Sequence, residues 1–100
     1  MLQLTTPEQF QRLIDGGSRF IVWYSAAWCG PCQRMEKSRL EEATRIPIYY
    51  CDEVVNPDMS VKERISQFPT FVFYSAGKEQ ARRTHSDTTK VCQWIVKFCK

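Results

Sequence analysis

No apolar stretch in this sequence is long enough to cross a bilayer. The longest purely apolar or aromatic run, Phe20 to Tyr24, falls far short of the about 20 residues a membrane span needs. The opening MLQLTTPEQF has neither a basic n-region nor an apolar h-region, so no export signal and no membrane partner are expected. Histidine occurs once, at His85, and there is no internal repeat or low-complexity segment. A concentrated basic patch is missing too. The net charge of +3 comes from dispersed Lys and Arg, the tightest cluster being Arg82 and Arg83, which speaks against a nucleic-acid partner. Glycine and proline are scarce, at four and five, while apolar residues reach 43% and charged residues 25%, the balance of an ordinary globular chain and not a disordered one. One hundred residues fit a single domain, 1–100, with no second domain to supply a cofactor pocket. Five cysteines are an odd number, and outside one close pair they are scattered as Cys51, Cys92 and Cys99. That usage is unlike a secreted disulfide scaffold and favours a reducing, cytoplasmic home.

What is present reads as alternating strands and helices. Leu2 to Leu4 suits a short first strand, and Thr6-Pro7-Glu8-Gln9 suits an N-cap with Pro at the first helical position and Gln three residues beyond the cap. Phe10, Leu13 and Ile14 share one face of that helix, and Gly16-Gly17 offers the left-handed conformation that ends it. RFIVWY then suits a strand buried on both faces. From Pro31 to about Thr44 the pattern is helical, with Met35, Leu40 and Ala43 available for the core, until Ile46-Pro47 stops it. IYYC reads as a strand, NPDMSVKERI as a turn and short helix, TFVFYS as a strand, and Ser75 to Lys78 as a tight hairpin turn into a polar edge strand around Gln80 to Arg83. Ser86 or Asp87 caps a last helix whose Val91, Trp94, Ile95 and Phe98 fall at i, i+3, i+4 and i+7. The order β-α-β-α-β-α-β-β-α predicts an α/β fold with a mixed central sheet flanked by helices, parallel in its first half and antiparallel at the late hairpin. In such sheets the reactive site lies beyond the carboxyl end of a central strand, where Cys29 falls.

The pair Cys29 and Cys32 admits three readings. Zinc needs four ligands, yet Cys92 and Cys99 stand seven apart and His85 is alone. A purely structural disulfide would close a tiny loop and return little stability. The redox reading explains more of the residues. A thiol at the first turn of a helix meets unsatisfied N–H groups and the positive end of the helix dipole, which favour thiolate over thiol. Cys29 would then attack a substrate disulfide and Cys32, one turn inside, would resolve the mixed disulfide, with Gly30-Pro31 making the tight turn. The pair itself carries the two electrons, so neither a cofactor nor a metal is expected.

Trp28-Cys29-Gly30-Pro31-Cys32, Phe68-Pro69-Thr70 some forty residues on, and the element order together resemble the thioredoxin family over nearly the whole chain. The resemblance implies the thioredoxin fold and a thiol-disulfide oxidoreductase, a monomer serving electron transport and cell redox homeostasis as a protein-disulfide reductase. It implies Pro69 in cis, leaving a bare wall beside the sulfurs; the lesser alternative is an ordinary trans proline starting a strand. It also implies substrate paired in extended form at Phe68 and Thr70, and Trp28 shaping the contact surface. Electrons would come from thioredoxin reductase or a dithiol such as trypanothione and leave to disulfide targets such as ribonucleotide reductase or peroxiredoxins. The competing reading is a redox-silent binding or scaffold module of the same fold, against which the intact pair argues.

The chain departs from that family where it matters. The buried Asp expected six positions ahead of the first cysteine is Trp23, and a lysine often found near it is replaced by Tyr50. Removing one member of a buried charged pair costs about 3–5 kcal/mol, whereas replacing both can be neutral. Trp23 with Tyr50 and the basic charge are similar to the trypanosomatid form of the family. Proton transfer from Cys32 would then need water or Glu36, one helical turn beyond it. His85 stands where the family has a glycine near the disulfide, and Lys37 replaces a mid-helix proline, so a straighter helix is expected. Cys92 and Cys99 lie roughly 10 Å apart along a helix axis, too far to bridge, and with Cys51 are expected to be structural thiols.

Overall fold

The computed structural model describes residues 1–100. Its elements are β1 (Leu2–Gln3), α1 (Pro7–Gly16), β2 (Phe20–Ser25), α2 (Gly30–Gln33), α3 (Lys37–Glu42), β3 (Ile48–Asp52), α4 (Pro57–Lys62), β4 (Thr70–Ser75), β5 (Lys78–Thr84) and α5 (Thr88–Phe98). The five strands form one sheet in the order β1-β3-β2-β4-β5. β1 and β2 run parallel to β3, while β4 is antiparallel to both β2 and β5, which gives the mixed sheet expected from the strand and helix alternation.

The sheet separates two apolar layers because β2 is buried along its whole length and its side chains alternate between the faces. Ile21 and Trp23 join Phe71, Phe73, Leu40, Val91 and Ile95 beneath α3 and α5. Phe20, Val22 and Tyr24 join Phe10, Met59, Val72 and Tyr74 beneath α1 and α4. The two tyrosine hydroxyls buried in this second layer are satisfied: Tyr24 Oη meets Tyr74 Oη at 2.8 Å, and Tyr74 donates to Glu63 at 2.8 Å.

Local signals behave as the residues dictate. Thr6 and Gln9 close the reciprocal cap of α1, and Gly17 ends it at φ 69°. The β4–β5 turn places Ala76 at φ 54° and Gly77 at φ 80°, two successive left-handed residues of the kind a two-residue hairpin demands. β5 is longer than the Gln80 to Arg83 expected, and Asp87 is the residue that caps α5.

Two expectations are corrected. The helix predicted over Pro31 to Thr44 is broken, so a tenth element appears and the segment is not straighter for want of proline. Glu36 leaves the helical region at φ −95°, ψ 99°, and its N–H donates to Thr88 Oγ1 at 3.2 Å instead of to a carbonyl one turn back. A side chain from α5 thus interrupts the ladder, one of the recognised causes of a kink. The break also lets Met35 turn inward, 6% exposed, against Thr88. The second correction is Phe98, which the spacing puts with Val91, Trp94 and Ile95. It is 53% exposed, because α5 ends there and the extended Cys99 (φ −101°, ψ 86°) is buried in its stead.

Candidate functional site

β2 delivers the chain to the end of the sheet, and three residues later the cysteine loop begins. Asp52, last residue of β3 and the register partner of Ser25, organises that loop. Its Oδ1 accepts N–H groups from Ala27 at 3.3 Å and Val54 at 2.9 Å while only 8% of the residue is exposed. The Ala26 carbonyl takes the Cys29 amide at 3.0 Å and the Gln33 side chain at 3.0 Å. Sequence reasoning missed Asp52, Glu53 and Gln33. The only available signal was an acidic residue closing an apolar strand.

Cys29 caps α2 and Cys32 lies within it; the two sulfurs are bonded, with Cα atoms 5.3 Å apart. Cys32 N–H donates to Cys29 Sγ at 3.3 Å, so a backbone dipole is aimed at the outer sulfur. Hydrogen bonding of this kind favours the charged form of the group that accepts it. Cys32 is the more deeply buried, at 1% against 6%. Gly30 and Pro31 are exposed over the pair.

Across from the sulfurs the Phe68–Pro69 bond is cis, and the Phe68 carbonyl oxygen lies 3.8 Å from Cys29 Sγ. Thr70 is buried: its hydroxyl donates to the Gln67 carbonyl at 2.7 Å and meets Thr84 Oγ1 at 2.7 Å, which ties down the turn that carries Phe68 and Pro69. Trp28 is 66% exposed, stands edge-on to Phe68 at 5.8 Å, and donates its indole N–H to Glu53 at 3.2 Å. An aromatic surface held at both ends therefore flanks the disulfide.

Trp23 is 2% exposed and sits opposite Tyr50 on β3, their rings edge to face at 5.0 Å, and stacks on Phe71 at 5.7 Å. Its indole N–H has no acceptor in the chain. Tyr50 donates to Ser25 Oγ at 3.3 Å, and the Lys37 ammonium lies 5.1 Å from the centre of its ring. Glu36 makes no hydrogen bond to either sulfur; its carboxylate pairs with Arg39 at 2.8 Å on the surface. His85 lines a groove of about 290 Å³ with Pro31, Phe68 and Pro69.

Cys51, Cys92 and Cys99 are free. Burial pushes the Cys51 thiol up to about 12, with Asp52 adding to it, and pushes Cys99 up to about 12. Cys92 is raised by burial as well. These thiols ionise in the unfolded chain before they do in the folded one. The contribution of Cys51 and Cys99 is therefore complete below about pH 9 and lost as pH rises toward 12, at up to about 1.4 kcal/mol per pH unit for each of the two. Urea unfolding of the oxidised protein is expected to give a lower free energy at pH 10 than at pH 8.5. The Cys51→Ala/Cys99→Ala double variant should show a shallower fall, and an unchanged slope would contradict the assignment. No group of three or more His, Cys, Asp or Glu side chains in the chain could share a metal ion.

The thioredoxin family model matches residues 1–97. Among curated relatives, thioredoxin of Geodia cydonium is 39% identical over 72 residues, 68% of each chain, and thioredoxin-2 of Saccharomyces cerevisiae is 28% identical over 97 residues, 93% of each. Fasciola hepatica thioredoxin superposes with a TM-score of 0.86 at 28% identity over 98% of this chain and 99% of its own. Plasmodium falciparum thioredoxin does so at 0.87 and 26% over 97% and 98%. With a bonded Cys-Gly-Pro-Cys pair at the carboxyl end of a central strand and matches that span almost its entire length, the chain belongs to the thioredoxin family and is a thiol-disulfide oxidoreductase.

Proposed function

We propose that the chain works as a protein-disulfide reductase in which Cys29 is the nucleophile and Cys32 the resolving thiol. The observation that carries this reading is the Cys32 N–H directed at Cys29 Sγ in a pair whose outer cysteine is the less buried. Once the disulfide is reduced, that N–H stabilises the Cys29 thiolate, the species that attacks. Gly30 and Pro31 shape the turn. Trp28 and Phe68 form the surface that an opened protein chain meets, and the Phe68 backbone pairs with it in extended form. Pro69 walls the sulfurs, and Thr70 acts from behind by holding the turn. Trp23 puts no carboxylate on the inner side of the site, so the proton of Cys32 leaves by way of water.

Electrons enter from a thioredoxin reductase or a small dithiol of the trypanothione type, the donor suggested by the likeness of Trp23 and Tyr50 to the trypanosomatid form. They leave to disulfide targets for which ribonucleotide reductase and peroxiredoxins are the natural trials. We place this electron transport in the cytoplasm and assign the protein a monomeric state. No helix is long and apolar enough to cross a membrane. The test is reduction of insulin by dithiothreitol. Catalytic amounts of the protein are expected to bring forward the precipitation of insulin chains; a time course identical to dithiothreitol alone would favour the redox-silent module.

A further inference from the structure

The groove beside the redox pair has two unlike walls. One is Pro31, Phe68 and Pro69; the other is Thr84, His85 and Ser86, the link between β5 and α5. His85 is half-buried, and its ring is fixed by one hydrogen bond: the Asp87 amide donates to Nδ1 at 3.0 Å. A nitrogen that accepts from an amide carries no proton itself, so in the neutral ring Nε2 bears the hydrogen. Nε2 makes no hydrogen bond within the chain. Of the other polar groups on that wall, Thr84 Oγ1 is already engaged by Thr70, and the exposed Ser86 hydroxyl has no hydrogen bond to fix its direction. The groove therefore holds one oriented and unpartnered donor facing an apolar wall next to the sulfurs.

We propose that His85 is a specificity-determining residue for protein substrates, its Nε2–H donating to a backbone carbonyl of the extended segment that carries the substrate disulfide. The inference rests on the reductase reading and refines it. Extended backbone presents carbonyls at regular intervals beyond the cysteine that is attacked, whereas a small aromatic disulfide has none to offer. The contact discriminates between the two classes of substrate without touching the exchange chemistry.

Two replacements separate the functions of the ring. In His85→Asn the side-chain oxygen can still accept the amide two residues on, a conformation asparagine favours, but the distal donor is gone. In His85→Gln an amide N–H reaches about as far as Nε2. The measurement compares steady-state reduction of insulin with reduction of 4,4′-dithiodipyridine, which has no carbonyl, by pre-reduced protein. One neutral hydrogen bond corresponds to a change of roughly 2- to 13-fold. His85→Asn should raise KM for insulin by that factor, with kcat and the rate on the small disulfide unchanged, and His85→Gln should recover most of it. An equal loss on both substrates would mean that His85 acts through the redox pair or the fold, and no loss on insulin would mean it does nothing; either result overturns the proposal. If wild type reduces neither substrate, the reductase reading itself fails, an outcome distinct from wild-type activity that is indifferent to residue 85.

Discussion

Cys29→Ser is expected to reduce the rate of insulin reduction to the dithiothreitol background, while Cys32→Ser should leave a protein that attacks once and stops. The difference follows from the role proposed for each sulfur. Cys29 thiolate breaks the substrate S–S bond, forms a mixed disulfide and releases one substrate thiolate. Cys32 thiolate then attacks Cys29 Sγ, forming the internal disulfide and releasing the second thiolate, so two electrons pass to the substrate and no other oxidant or reductant enters. A serine hydroxyl at position 29 cannot form the first bond. At position 32 it cannot form the second, and the adduct must await dithiol from solution. Well-oriented intramolecular groups act at effective concentrations up to about 10⁵ M or more, so millimolar dithiothreitol replaces Cys32 poorly and a covalent one-to-one complex should accumulate. Non-reducing electrophoresis checks this. Adduct in Cys29→Ser and none in Cys32→Ser would reverse the two roles, against the burial of Cys32 at 1%.

Trp23→Asp should be the most destabilising single substitution near the site. Trp23 packs between Tyr50 and Phe71 inside the larger apolar layer. Truncating a buried aromatic costs about 3–5 kcal/mol, and an unpaired buried carboxylate adds to it. At roughly 4–8 °C for each kcal/mol in a chain this size, the midpoint of thermal unfolding should fall by at least about 15 °C. The double variant Trp23→Asp/Tyr50→Lys restores opposite charges at positions already in cross-strand register and should recover part of the loss. A wild-type melting midpoint for Trp23→Asp would refute the packing account. Turnover belongs on the double variant under conditions where it is folded: general-base assistance is worth about 10²–10⁴-fold, so faster reduction of insulin would show that proton transfer from Cys32 limits the natural protein.

The parts that were legible in the sequence are those whose causes are local. The Thr6–Gln9 cap, the left-handed Gly17, the doubly buried β2 and the cysteine turn each depend on neighbours a few residues away. The break after α2 was not legible, because the acceptor that captures the Glu36 amide is Thr88, 52 residues downstream. Periodicity alone carried the helix through to Thr44. Asp52 escaped notice for the same reason: its two backbone partners lie 25 and 2 residues away, and only the parallel register of β2 and β3 brings the first of them to it. Phe98 misled in another way. Spacing assigns a face while a helix lasts, and α5 stops at that residue.

The sheet ends on one side with β1, two residues long, and on the other with β5, which carries Lys78, Glu79, Arg82 and Arg83 and is exposed over most of its length. Exposed strand edges invite other chains to add themselves, and short or heavily charged edges discourage it. The opened chains that a disulfide reductase releases are extended, sticky and prone to precipitate. A border too short on one flank and too charged on the other leaves them little to grow from, so in the proposed reductase role the protein would open such chains without templating their association.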